Sequence, residues 1–382
     1  MVRSIAAALA CALLVQDPAD SGSEKSKLHE ELAVAAEGAG EQLIKLKSWD
    51  EARAFLELIR AKSDARAEAL DKLIAKTDKQ TSGLKWDAKS SDLIKSFGSE
   101  RAKKFFAFAR AWKEKDAEAA RWTQAEGEIL DDLLDYVKAY ARLTQIRAHY
   151  ELPKTRFDWK LSVPAVWHAK YLVHNPDDPR EIQGKTGFTN EGQECAKKSV
   201  SSRAESLNDL VESLVHAPFH RAFVMQPRLL HTGFGQAHGS DQTGVMDVQS
   251  GLGPPDATQD SLLRVPRDGS IDVPTRGYDD STRIVENVSM KDLGYPVSLV
   301  FYSASDQPKN IKAQITESLR VLDVYISTPD APAIPKQYPT NRNMILLVPK
   351  NPLKPLTTYN VRVEFTLRGE KTTASWSFRT GR

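Results

Sequence analysis

The stretch 211–238 constrains this chain more than any other part of its sequence. It begins as an apolar helical run from Val211 to Val215, and Pro218 then interrupts the run, because proline cannot continue a helix interior. It goes on through His220 and Arg221 and finishes on a glycine-flanked strand. Histidines, a proline break and such a strand within one short stretch raise the hypothesis of a functional site, or of the remains of one.

Length and charge set outer bounds on the class of protein. With 382 residues, the chain is long enough for two or three domains. Its 53 Lys and Arg residues nearly balance its 51 Asp and Glu residues, for a net charge of +2. Nucleic acids and anionic membrane surfaces attract clustered basic excess. The sequence shows no such excess, and we expect no nucleic-acid partner.

The N-terminus has the features of an export signal. Arg3 supplies a positive start, and residues 4–15 form an apolar core too short to span a bilayer. We expect residues 1–19 to be a signal peptide and the mature protein, without a transmembrane segment, to be secreted or periplasmic in the cell envelope. Lipidation at Cys11 is the alternative to simple cleavage, but Ala8 stands where a lipoprotein signal prefers leucine.

Cys195 is the only other cysteine in the sequence. Signal removal would therefore leave the mature chain without an internal disulfide, which is typical of an envelope protein held together by hydrophobic cores. A lone cysteine of this kind is more often a buried residue than a reactive thiol.

Residues 23–136 show helical periodicity with charges of mixed sign. Ser48 and Glu51 form a capping-box pattern that predicts a helix start, and Ser99 is the expected cap of a second helix. The apolar stripes in this segment indicate packing within a small helical bundle. A partner-binding face on these helices is the alternative.

The segment 137–251 alternates helices with short strands, which predicts an α/β domain of the α-β-α sandwich type. A helix is expected from Val163 to His174, and short strands at Gly233–Gly235 and Val245–Val248. Residues 252–262, rich in glycine and proline, form a linker.

Four pieces of this middle domain resemble the CAP family (SCP-like, cysteine-rich secretory proteins) in its bacterial form without cysteines. They follow one another in the family's order, and Val245–Val248 closes the domain. The pieces are Leu143–Leu152, Leu161–Asn175, Ala217–Arg221 with Pro227, and Gly233–Gly235.

The resemblance implies a cavity with two histidines and two glutamates that can bind a divalent metal. Of these four positions, His220 alone matches: Ala217 stands at the second glutamate, Lys197 and Lys198 stand near the first, and the loop 177–187 holds no histidine. Because a zinc site needs three or four ligands, we expect no metal site of the family type and no cofactor.

Local chemistry leaves five candidates for a cavity or binding site: His168, Glu191, His216, His220 and Arg221. His216 and His220 are four residues apart, which places two ligands on one face of an unbroken helix, but Pro218 would distort that turn. Glu191 could approach His220, and a His–Glu pair is the minimum for acid–base work. A lone histidine on a packed helix, such as His168, is more often a hydrogen-bonded core residue, and loop glutamates are usually solvated.

Residues 263–382 have the pattern of an all-β sandwich. Apolar and polar residues alternate from Tyr359 to Leu367, Arg368-Gly369-Glu370 forms a turn, and alternation resumes on the return strand. The entry segment Val265–Pro274 and the exit segments Leu356–Tyr359 and Trp376–Thr380 resemble a bacterial Ig-like domain. That resemblance implies a spacer or binding module.

These features together predict a multidomain, non-enzymatic protein of the bacterial envelope that binds an unknown small ligand or envelope component. Two alternatives remain open. One is a hydrolase acting on envelope peptide or polymer, with His220 as general base. The other is a structural adhesin that holds a partner through the helices of residues 23–136.

Overall fold

The computed structural model describes most of the chain beyond its N-terminus, and the expected signal peptide, apart from Ala19, lies outside the described part together with Cys11. None of the described helices has an apolar stretch long enough to cross a bilayer. The described residues are 19–78, 80–81, 83–84, 86–239, 242–254, 262–277, 285, 288–302, 307–333 and 343–382.

The N-terminal part is helical, as predicted. Its apolar stripes are buried, with Phe55, Ile59, Phe105, Leu130 and Val137 all at or below 1% exposure. The helices here are α1 Ala19–Lys45, α2 Trp49–Arg60, α3 Ala67–Thr77, α4 Ala88–Trp112, α5 Ala117–Asp131 and α6 Leu133–His149.

Two predicted caps are wrong in detail. Ser48 does stand at the N-cap of α2, but its hydroxyl donates to Asp87 Oδ2 over 3.2 Å and makes no hydrogen bond to α2. Ser99 lies inside α4, whose N-cap is Asp87, with Oδ1 accepting from the Ser90 backbone N–H over 2.9 Å. A capping carboxylate close to the helix start outcompetes a serine farther along the same helix.

The middle part contains a three-stranded antiparallel sheet in the order β2-β5-β4 and a parallel two-stranded pair, β1-β3. Helix α7 begins at Trp159, earlier than the predicted Val163, because Asp158 caps it by accepting from the Lys160 backbone N–H over 2.8 Å. The elements are β1 Arg156–Phe157, α7 Trp159–His174, α8 Asn190–Ala196, β2 Ser199–Arg203, α9 Leu207–His216, α10 Pro218–Val224, β3 His231–Thr232, β4 Phe234–Ala237 and β5 Thr243–Asp247.

This sheet lies between α7 on one face and α9 on the other. Val245 shares a cluster with the buried residues of α7, whereas Met246, its neighbour along the strand, packs with those of α9. Gly233 and Gly235 face α7, and a Cβ at Gly235 would come within 2.1 Å of the Ala165 carbonyl carbon. The Gly-x-Gly pattern is therefore required by the close approach of helix and strand.

The N-terminal and middle parts share one continuous core. The Phe157 ring makes edge contacts with Tyr136 and Tyr140 of α6. Trp159 Nε1 donates to the Leu58 carbonyl over 2.8 Å. The first strand and helix of the middle part are thus packed on the helical bundle.

The C-terminal part is strand-rich, with two sheets in the orders β10-β9-β13-β14-β7 and β11-β12-β8-β6 that enclose a common core. The predicted final hairpin is confirmed: Arg368 and Gly369 connect its strands, both with positive φ, as a tight two-residue turn requires. The strands are β6 Leu262–Val265, β7 Ser270–Val273, β8 Val297–Phe301, β9 Lys309–Glu317, β10 Arg320–Val321, β11 Val324–Ser327, β12 Met344–Pro349, β13 Thr358–Leu367 and β14 Glu370–Thr380.

Strands β8 and β12 are buried along their full lengths, so both faces of their sheet are covered. One face meets the other sheet. On the opposite face, Val300 and Met344 belong to the core that contains Val224 and Met225, while Phe219 packs on Leu346 and its neighbours. Helix α10, which carries His220 and Arg221, thus lies at the contact between the middle and C-terminal parts.

Candidate functional site

Arg221 is fully buried, and its guanidinium joins two parts of the chain. On the middle part, it donates to the carbonyls of Val215 (2.6 Å) and His216 (3.1 Å). On the C-terminal part, it donates to the Pro296 carbonyl (3.1 Å), to Ser298 Oγ (3.1 Å) and to the Tyr295 hydroxyl (3.0 Å). A guanidinium has five N–H donors, and these five bonds use them all.

His216 lies at the same contact. Its Nδ1 is 3.1 Å from the Tyr295 hydroxyl, and its Nε2 is 3.5 Å from Glu212 Oε2. Burial would raise the pKa of Glu212, but hydrogen bonds from His216 and Arg142 and the charge of Arg142 hold it at about 2. A carboxylate with so low a pKa is a poor proton acceptor at neutral pH.

His220 is half-buried on α10, in the turn that follows Pro218. Ala217 separates α9 from α10 and is buried at 2% exposure. The proline break therefore puts His216 and His220 on two different helices, and the spacing of an unbroken helix does not apply to them.

His168 is paired with a residue that the sequence did not single out. Its Nδ1 lies 2.9 Å from Glu181 Oε1, and the two residues are 2% and 1% exposed. Glu181 Oε2 accepts from the Thr189 backbone N–H over 3.1 Å. Gly192 makes room for this carboxylate, since a Cβ there would lie 2.3 Å from Glu181 Oε1. The pair ties the loop after α7 to α7 and α8, and its burial fits a structural role.

The sequence gives little indication that Glu181 is buried and paired. It lies in a polar, breaker-rich loop where glutamates are usually solvated, and a glutamate is buried only when it is paired. Its partner comes from a helix thirteen positions earlier in the sequence, so no local period links the two.

Glu191 forms an ion pair with Arg121 of α5, and the Arg121 guanidinium lies 4.2 Å from the centroid of the Trp167 ring. Glu191 and His168 therefore belong to the α7 side of the three-stranded sheet. His216, His220 and Arg221 belong to the α9 and α10 side. The structure divides the five candidates into two groups and does not assemble one site from them.

Among the described residues, no group of three or more His, Cys, Asp or Glu side chains is placed to hold a metal ion. Cys195 is buried, and burial raises the pKa of its thiol to about 12. Its thiolate form is accordingly scarce at neutral pH.

A cleft of about 650 Å³ opens where the helical part meets the start of α7. We call it the basic cleft, and define it by Arg60, Lys154, Arg156, Lys160 and His231, which line it. Arg156 and His231 are register partners in the parallel β1-β3 pair, and both are exposed. Register partners project from the same face of a sheet, so these two side chains enter the cleft side by side.

The acidic residues that line the basic cleft are already engaged. Glu57 pairs with Lys154 and accepts from the Tyr140 hydroxyl over 2.9 Å. Asp71 pairs with Arg60 over 3.2 Å, and Asp158 caps α7. In the part of the chain that the structure describes, no carboxylate lies within 4.0 Å of the Arg156 or Lys160 nitrogens.

A buried ionic cluster adjoins the cleft through Lys62, which lines it. Glu126 Oε1 is 2.6 Å from Lys62 Nζ and 3.6 Å from Lys25 Nζ, and Glu126 Oε2 is 3.3 Å from His29 Nε2. Burial acts to raise the pKa of Glu126, but the charge of Lys62 and the other bases hold it at about 2.

Burial lowers the pKa of the Lys62 ammonium, so taking this charge out of water is unfavourable to the folded state. The lowered pKa of Glu126 shows that the nearby bases stabilise its charged carboxylate. Three bases, Lys25, His29 and Lys62, share the one carboxylate of Glu126. The lowered pKa of Lys62 also reflects the nearby charge of Lys160, which places Lys160 close to the cluster.

Comparison with known proteins gives no family for this chain: no protein-family model matches it, and no curated protein matches it.

Proposed function

We propose that this chain is an exported protein of the bacterial cell envelope that binds a ligand without transforming it. In this proposal the middle part is a CAP-like domain with a degenerate metal site, and the C-terminal sandwich is an Ig-like module. The helix–sheet–helix layering of the middle part and the two-sheet core of the C-terminal part support these assignments.

The hydrogen bonds of the Arg221 guanidinium are the observation on which this proposal rests. The resemblance places a ligand at His220, beside this arginine, and all five guanidinium donors are spent on the contact between two parts of the chain. His216 is engaged at the same contact. These contacts support a structural role for the stretch 211–238. They favour ligand binding at another place in the molecule over catalysis at this one.

The basic cleft is the proposed binding site. It is concave, lies at the junction of two structural parts, and has a volume in the range of small-molecule sites.

The experiment uses the exported chain, purified after signal removal. We would record its thermal unfolding with a panel of uncharged glycans and peptides and of their charged counterparts, and would analyse each mixture for products by mass spectrometry. Stabilisation by a panel member without product formation is the expected result. Product formation that disappears in His220→Ala would instead establish the hydrolase alternative and end the proposal.

A further inference from the structure

We infer that the basic cleft binds a small ligand through an oxyanion, a carboxylate or phosphate group that Arg156 and Lys160 contact. This inference rests on the proposed binding function and names the chemistry of its ligand.

The acids of the cleft are engaged by Lys154, by Arg60 and by the start of α7. Arg156 and Lys160 have no such partner among the described residues. A guanidinium and an ammonium that line a cleft with no carboxylate of the described residues within 4.0 Å attract an anion, and the concave wall strengthens that attraction.

Arg156 and His231 stand on adjacent strands, about 4.8 Å apart at the backbone, and face the same way. Backbone bonds hold this pair: Arg156 N–H donates to the Leu230 carbonyl over 2.7 Å, and Asp158 N–H to the Thr232 carbonyl over 2.8 Å. Lys160 follows within the first turn of α7. These bonds fix the backbone at Arg156, and its planar guanidinium is suited to bidentate contact with two oxygens of one group, while the Lys160 ammonium adds a point charge.

A lone oxyanion would leave most of a cleft of about 650 Å³ unfilled. Ala61 and Ile74 contribute apolar surface to its lining. The ligand therefore carries an uncharged body beside its oxyanion, as a short peptide with a free C-terminus or a phosphorylated small molecule does.

The test measures binding by isothermal titration calorimetry at low salt, because screening weakens exposed charge contacts. The probes are trialanine with a free carboxylate, trialanine amide and inorganic phosphate. We expect the free acid to bind at least about tenfold more tightly than the amide, because only the acid offers the bases a charged oxygen pair for charge-assisted hydrogen bonds. Tighter binding of phosphate than of the free acid would support the inference and identify phosphate as the preferred oxyanion.

The variant Arg156→Ala/Lys160→Ala should lose at least about tenfold in affinity for the better anion. Arg110→Ala/Lys113→Ala removes the same two residue types from an exposed stretch of the surface and should bind as the unaltered chain does. Circular dichroism and thermal unfolding check that both variants are folded.

Three results would overturn the inference: equal binding of acid and amide, equal binding by both double variants, or no binding of any anion. In each case, stabilisation by an uncharged member of the ligand panel would leave the proposed binding function standing. Absence of binding throughout both experiments would end both proposals.

Discussion

The Arg221 guanidinium donates to the Tyr295 hydroxyl over 3.0 Å and stacks against the same ring, with 5.3 Å from its central carbon to the ring centroid. Arg221, the residue next to His220, thus joins the C-terminal part to the middle part.

Replacing Arg221 with alanine should lower the free energy of unfolding by about 3 kcal/mol or more, because buried carbonyls and hydroxyls lose their donors and a cavity remains. Urea unfolding measures the change. Arg228→Ala is the matched control, since Arg228 donates only to the Gly253 carbonyl among the hydrogen bonds found for it, and its loss should be clearly smaller. Equal losses in the two variants would contradict the role assigned to Arg221.

Gly235→Ala should destabilise the fold by about 2 kcal/mol or more, because its Cβ would overlap the backbone of α7. Gly38→Ala provides the contrast within the same chain. Gly38 lies in α1 with no atom within 4 Å of an added Cβ, so this change should stabilise by about 0.5–1 kcal/mol. Thermal unfolding of both variants checks the prediction, and a tolerated Gly235→Ala would show that α7 and β4 lie farther apart.

Acid should unfold the chain in part through Glu126 and Glu212. The pKa of each is about 2 in the folded chain against an ordinary value of 4.5, so the unfolded chain takes up these protons first. Their contribution is complete above about pH 5 and is lost as the pH falls towards 2, on the order of 3 kcal/mol for the buried Glu126 and less for Glu212, whose partly exposed carboxylate is screened by solvent.

Urea unfolding at a series of pH values tests this dependence. Glu126→Gln should flatten the decline between about pH 5 and pH 2, because it removes one of the two titrating groups. Glu68→Gln, on the surface, should keep the unaltered slope. A Glu126→Gln variant with the unaltered slope would mean that the cluster around Lys62 does not set the acid stability.

Deleting residues 23–136 should prevent the remainder from folding rather than release an independent domain. The deletion would remove Tyr136, whose ring contacts Phe157, and the Leu58 carbonyl that accepts from Trp159, and it would expose these two buried residues. Circular dichroism of the truncated chain should show loss of cooperative unfolding. A truncated chain that unfolds cooperatively would contradict this expectation and would permit deletion tests of the adhesin alternative.

The local patterns of this sequence predicted its clearest elements. Alternation and a glycine turn predicted the final hairpin, because a strand of period two with positive φ at its turn is a local property. Pro218 predicted the break between α9 and α10 for the same reason. Caps were harder: Asp87 and Ser99 both match a capping preference, and the structure places Asp87 at the start of α4 and Ser99 inside it.

The partnerships of charged residues were decided by the tertiary structure. Glu181 pairs with His168, and Arg221 hydrogen-bonds to Tyr295. Neither sequence separation follows from the period of a helix or a strand, so neither contact could be predicted from the sequence pattern. Arg156, Lys160 and His231 come together because a strand pairing and a helix start place them at one cleft. The sequence by itself determined the elements and their apolar faces, since these follow from short-range sterics and burial. The tertiary structure alone decided which charges are neutralised inside the fold and which remain open to a ligand.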